Sequence, residues 1–195
     1  MPRPSQIDDQ RKRLLPIVTA AFSELGFQRT TTSELARRCE VRENILYRLW
    51  SDKKAMFLAA VAHVFQSRES SWNDLVQVTG SAQEAVETLV RFESEHLGES
   101  AFYRVVFSGL AQADDPDIRK AVARMYRQFH RRICELIENS RSEAESENVL
   151  DVETMAWSIM GVATVTVIAQ ELSLLSSAGR KSLFREASGF LLAGG

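Results

Sequence analysis

Residues 41–54, VRENILYRLWSDKK, set four cations, Arg42, Arg48, Lys53 and Lys54, against two carboxylates, Glu43 and Asp52. Asn44 and Tyr47 stand among them. Ile45, Leu46, Leu49 and Trp50 recur at helical spacing through the same stretch, which turns the polar side chains to the opposite face. Those side chains share one chemistry. A guanidinium matches guanine N7 and O6 or a phosphate, an amide matches adenine, and a carboxylate accepts from the cytosine amino group. The stretch therefore reads either as a surface for a polyanion or as a solvated helix face with a surplus of positive charge.

The other reactive residue types form weaker patterns. His130 and Cys134 are four apart on one helical face, a spacing that suits a soft metal, but only two ligands are visible and a packed pair is the simpler reading. Cys39 is a candidate redox switch or a buried inert thiol. G-x-S-x-G, H-E-x-x-H, G-x-x-x-x-G-K and a glycine-rich dinucleotide turn are all missing from the sequence. No catalytic residue, resident metal or cofactor is expected, and the chain does not read as an enzyme.

The elements that must carry these residues are helical. The chain has 195 residues, 45% of them hydrophobic, with only four prolines. Strand-like alternation is scarce, which predicts an all-α protein. Net charge is −2 overall but unevenly spread. Residues 1–54 hold 11 Lys and Arg against 7 Asp and Glu, whereas residues 55–195 hold 13 against 19. A basic head on an acidic body suggests a polyanion partner for the head alone. MPRPSQIDDQRKR lacks the apolar core of a signal peptide. The most apolar stretch, residues 155–169, contains Ser158, Thr164 and Thr166 and is short for a membrane span. Two cysteines offer no disulfide framework and suit a reducing cytoplasm.

Along the chain, Leu14, Val18, Ala21, Phe22 and Leu25 mark a first helix stopped by Gly26. Pro16 either kinks it or marks a start one turn earlier. Thr31 with Glu34 forms a capping box, so a second helix begins at Thr32, its inward face Leu35, Ala36 and Cys39. A third follows Val41. A longer helix opens at Lys53 and fades near Ser70. A loop with an N-cap near Gly80 and Ser81 precedes a helix on Ala85, Val86, Leu89 and Val90, closed by Gly98. Another helix runs from Phe102 to Leu110. Asp115 caps the next, with Pro116 in its first position, and residues 139–148 read as a polar loop.

Residues 152–175 differ from the rest because they are apolar nearly all round, on Met155, Ile159 and Ala163 as well as on Val165, Ile168 and Leu172. Such a helix must be covered on both sides. The last helix, Leu183, Phe184, Ala187, Phe190 and Leu191, cannot do that alone. A second copy forming a four-helix interface would cover it, as would a central place in a monomeric bundle.

A helix-turn-helix constrains its spacing because two short helices cross closely around a tight turn. Leu35, small Ala36, the turn, Val41 in the corner, then Leu46 and Leu49 satisfy it. At this point residues 20–57, AAFSELGFQRTTTSELARRCEVRENILYRLWSDKKAMF, resemble the DNA-binding region of tetracycline-repressor (TetR) family regulators. The landmarks are Phe22, Glu24, Gly26, Phe27, Thr30, Thr31, Leu35, Ala36, Val41, Leu46, Tyr47, Trp50, Lys53 and Phe57. The resemblance implies an all-α chain: a three-helix helix-turn-helix domain over residues 1–54, then a helical effector-binding and dimerisation domain over 55–195. It implies a cytoplasmic homodimer, with no membrane partner, that binds double-stranded operator DNA and is released, as repressors are, by a small molecule.

Thr31 and the start of its helix would then hold a phosphate, as would Tyr47 and Lys53. Arg42, Asn44 and Arg48 would read bases, and Glu43 would accept from cytosine N4, repel wrong registers or sit in solvent. Three departures from the family pattern stand out: Glu40 where the turn usually has glycine, Arg42 where the recognition helix usually has a Ser or Thr cap, and Asn44-Ile45 in place of a small pair. Tyr103, Phe107, Tyr126, His130 and Trp157 are candidate linings of an effector pocket, and their aromatic character suggests an apolar effector. The rival reading is a dimeric helical ligand-binding or scaffold module without specific DNA binding.

Overall fold

The computed structural model of the chain describes residues 4–97, 102–144 and 150–193. Among these residues there are nine α-helices and no strand: α1 (Pro4–Arg29), α2 (Thr32–Arg38), α3 (Glu43–Leu49), α4 (Lys53–Val76), α5 (Ala82–His96), α6 (Phe102–Leu110), α7 (Pro116–Ala144), α8 (Val152–Glu171) and α9 (Ser177–Ala193). They form two compact units, residues 1–67 with 101–126 and residues 68–100 with 127–195. The units are discontinuous in sequence, with α6 and the start of α7 grouped with residues 1–67.

In the first unit α1 buries Leu14, Val18, Ala21 and Phe22. It runs through Pro16 and begins at Pro4, well before the expected start; the only non-helical backbone inside it is Gly26, at φ 73°. That left-handed turn, which only glycine adopts at little cost, lets Phe27 swing onto the core. Phe22, Phe27 and Phe57 meet there, with ring centroids 5.0 Å apart for Phe22–Phe57 and for Phe27–Phe57. Where α6 crosses α7, a Cβ on Gly109 would come within 2.7 Å of the Val122 side chain, so the glycine sets the closeness of that crossing. Asp115 caps α7 as expected, accepting from the N–H groups of Asp117 and Ile118, and its other oxygen joins Asp117 in holding Lys54 at the start of α4.

In the second unit Ser81 caps α5 by accepting from the Glu84 N–H at 3.1 Å. α4 continues past Ser70 to Val76 because Trp72, in the stretch expected to be loop, is buried. Its indole donates to Glu93 Oε1 at 2.7 Å, and Arg68 stands 3.4 Å from the same oxygen. Burial raises the Glu93 carboxyl above its ordinary range against the pull of Arg68. α7 likewise runs on to Ala144 through the expected polar loop, with Ser140 buried and bonded to Gln83. Residues 145–148 of that loop, and Gly98 as a helix stop, lie outside the described residues.

α8 starts at its Asp151 cap, which accepts from Thr154 N–H at 2.8 Å, and packs against α9. Met155, Ala156, Ile159, Met160, Thr166, Val167 and Ala169 are buried within the chain. Trp157, Val165 and Ile168 are exposed on the helix, as is Leu172 just beyond its end, all on one stripe. By length and composition alone α8 could cross a membrane, although its buried face packs as a helix in a folded bundle does.

Candidate nucleic-acid interface

The joint between α2 and α3 is built by backbone bonds. Val41 N–H reaches back to Ala36 O at 3.0 Å and Glu40 N–H to Arg37 O at 3.2 Å, the paired bonds of a Schellman motif. The motif requires a left-handed residue, and Glu40 takes it at φ 53°. A non-glycine residue there costs about 1–2 kcal/mol. α8 ends in the same motif, with Ser173 at φ 54° and Leu174 N–H on Ala169 O. The turn therefore fixes α3 against α2 while Leu35, Leu46 and Leu49, all fully buried, lock both onto α1.

α2 is capped by Thr31, whose hydroxyl accepts from Glu34 N–H at 3.2 Å. The reciprocal half of the expected capping box is not made. Both Glu34 oxygens go to Arg37 and Arg38, which hold the carboxyl down to about 2. Arg38 also reaches Glu24 on α1, tying the two helices at the surface.

The polar face of α3 is exposed, as expected, but its side chains differ in commitment. Arg42 occupies the N-cap position with extended backbone and no side-chain cap bond. The side chains of Arg42 and Asn44 make no hydrogen bond or ion pair with other described residues. Arg48 accepts restraint from α1, donating to Gln10 Oε1 at 3.0 Å. Glu43 and Tyr47 are joined through Thr32: Tyr47 Oη donates to Thr32 Oγ1 at 3.2 Å, and Thr32 donates to Glu43 Oε2 at 2.9 Å.

Lys53 has a role its position in sequence does not reveal. Its ammonium donates to the carbonyls of Phe27 and Thr30 at 3.0 and 3.1 Å and lies 4.5 Å from the centre of the Phe27 ring. It satisfies carbonyls at the C-terminal end of α1 that no helical N–H follows, so two of its three protons are spent inside the fold. Phe27 is gripped from its other side too, its N–H donating to Ser108 Oγ on α6 at 2.8 Å.

Gln10, Arg11, Thr32 and Ser108 are the residues that sequence reading missed. Arg11 Nε donates to Leu49 O at 2.7 Å, placing a cation at the C-terminal end of α3 where it is favoured by the helix dipole. Partners 38 residues apart carry no local spacing signal.

The candidate effector residues fall into both units. Tyr103, Phe107 and Tyr126 are half-buried in the first. His130 and Trp157 lie in the second, stacked with centroids 4.6 Å apart, and Trp157 is half-exposed. The Cys134 sulfur lies 3.8 and 3.9 Å from the His130 ring nitrogens, and burial, then Glu138 and Glu153, push its thiol up. Cys39 is buried and its thiol is pushed up by that burial, so it is a poor nucleophile.

Comparison with known proteins agrees with this geometry. Residues 19–60 match the model of the bacterial regulatory proteins of the tetR family. A TetR-family transcriptional regulator from Cytophaga hutchinsonii superposes with TM-score 0.80 over 99% of this chain and 98% of its own, at 18% identity. The Bacillus subtilis transcriptional regulator FadR, crystallised with stearoyl-CoA, has TM-score 0.72 over 94% of this chain and 98% of its own, at 11% identity. At these identities the likeness establishes the fold. The nucleoid occlusion factor SlmA of Haemophilus ducreyi is 27% identical over 130 residues, 65% of this chain and 63% of that relative, so the match spans less than two thirds of SlmA. The helix-turn-helix lies inside the matched region, so residues 19–60 are similar to the DNA-binding region of the tetR family of bacterial regulatory proteins.

Proposed function

We propose that the chain is a DNA-binding transcriptional regulator, acting as a repressor released from its operator by a small molecule. The observation that carries this is the exposed face of α3, where Arg42 and Asn44 stand uncommitted on a helix locked in place by the turn at Glu40. Thr31 and Tyr47 supply hydroxyls beside that face for phosphates. Arg42, Asn44 and Arg48 read base edges in the major groove. Lys53 retains one proton for a phosphate while it holds Phe27 and Thr30. Residues 1–54 act as the DNA-binding head, and residues 55–195 sense the effector and dimerise.

The homodimer rests on the apolar stripe of α8 and on Leu183 and Phe190 of α9, which are exposed in the single chain. Two copies joined there would carry two recognition helices, set about 34–36 Å apart for successive major grooves. An apolar effector, with Tyr103, Phe107, Tyr126, His130 and Trp157 as candidate contacts, would shift the population of that spacing. Cytoplasmic placement follows from the proposed partner, DNA.

The test is titration of the protein against DNA upstream of its own gene, with excess random competitor, at several salt concentrations, beside Arg42→Ala and Arg48→Ala. Competitor-resistant binding that weakens with salt and falls in both variants supports the regulator. Equal affinity for random DNA, or no binding at low salt, favours the helical scaffold instead.

A further inference from the structure

The recognition face carries a hydrogen-bond relay that faces the wrong way for binding phosphate. Tyr47 Oη donates to Thr32 Oγ1, and Thr32 donates to Glu43 Oε2. Each hydroxyl has a single proton, and both protons run towards an exposed carboxylate of the same chain. Phosphate oxygens only accept. A DNA backbone arriving here meets a carboxylate that repels it and two hydroxyls whose protons are already spent.

We propose that Glu43 is a specificity residue, released from Thr32 by the exocyclic amino group of a cytosine in the major groove. The amino group offers the carboxylate a replacement donor, as cytosine N4 does for Glu and Asp. Once Glu43 turns to the base, the Thr32 and Tyr47 protons are free for the phosphate backbone. Base readout and phosphate grip are thereby coupled through one carboxylate. On non-matching DNA the relay stays closed, and sequence-independent affinity is held down. Arg42 and Asn44 carry no such restraint and Arg48 is tied only to the neutral Gln10 amide, whereas the relay sets a carboxylate against the backbone and so penalises wrong sequences as well as rewarding the right one. This rests on the regulator reading and specifies how it discriminates.

The test uses the full-length protein, a library of random duplexes for selection, and a fixed random duplex for titration. Wild type, Glu43→Ala, Glu43→Gln and Thr32→Val are compared after thermal unfolding shows each to be folded. The wild type should enrich a cytosine at one fixed place in each half-site. Glu43→Ala should lose enrichment at that place alone and bind the random duplex about 3- to 10-fold more tightly, as expected for removing one competing hydrogen bond. Glu43→Gln should exchange the cytosine for adenine, the base that an amide reads. Thr32→Val should keep the cytosine. If Glu43→Ala enriches the same sites as wild type with unchanged affinity for random duplex, the inference is overturned and the regulator reading stands. If wild type enriches no sequence, the regulator reading fails and the inference with it.

Discussion

The two exposed faces most open to a partner are chemically opposite. On α3 the outward residues are polar, and several are already tied: Arg48 to Gln10, Tyr47 and Glu43 to Thr32. On α8 the outward residues are apolar and the backbone behind them leaves room. A Cβ added to Gly161, on the same stripe as Trp157, Val165 and Ile168, would meet nothing within 4 Å. A polar face can wait in water at little cost because water satisfies it, so its exposure in one chain needs no cover. An apolar stripe gains nothing from water, and the homodimer proposed above would cover it.

The comparison breaks most visibly if a charge is put on the apolar face. Ile168→Asp combined with Phe190→Asp should convert a dimer to a monomer, weakening association at least about 100-fold, since a buried unpaired carboxylate costs several kcal/mol. Sedimentation equilibrium reads the change, and a monomeric wild type would remove the face's proposed role. Because both residues are exposed in the single chain, the monomer should stay folded.

A second contrast sharpens the reading of the head. Arg42→Ala should weaken binding to selected duplexes about 10- to 100-fold, the worth of a bidentate base contact, while leaving the melting temperature unchanged. Lys53→Ala should do the reverse in stability, costing about 1.5–3 kcal/mol by removing a charged donor from two carbonyls, with Tm as the measure. Equal effects of the two on Tm would contradict the assignment of Lys53 to the fold.

Glu40→Gly should stabilise the chain by about 1 kcal/mol, the relief of a left-handed residue set against the greater entropy of glycine in the unfolded chain. Denaturant midpoints check it, and an unchanged midpoint would mean that the turn compensates Glu40 in place.

The smallest effect is pH-dependent. Glu34 is held at about 2 by its hydrogen bonds to Arg37 and then Arg38, below an ordinary value of 4.5. A depressed carboxyl stabilises the folded state above its unfolded pKa and loses that contribution as pH falls through the folded one. The Tm gap between wild type and Glu34→Gln should therefore be constant above about pH 5 and close towards pH 2. A gap that persists at pH 2 would mean that the Arg37 and Arg38 bonds do not set it.

Much of the helix order was legible because its signals are local. Gly26 as a break, Thr31 and Asp115 as caps and Pro116 in a first turn each depend on neighbours within four residues. Element lengths were less legible: Trp72 and Ser140 are buried by distant packing, which carried α4 and α7 through stretches that read as loops. In the head, the sequence marked the polar face of α3 but not which of its side chains are committed.

By itself, then, the sequence determined the helical class, the helix-turn-helix register and the presence of a helix apolar nearly all round. Periodicity and capping are properties of contiguous residues, and the turn at Glu40 follows from helix-end bonds five residues apart or fewer. Only the tertiary structure decided that Lys53 serves the Phe27 and Thr30 carbonyls, that Arg11 caps α3, and that Thr32 holds Glu43. Those bonds join residues 11 to 38 positions apart. Their partners are selected by how the helices pack, which no local pattern records.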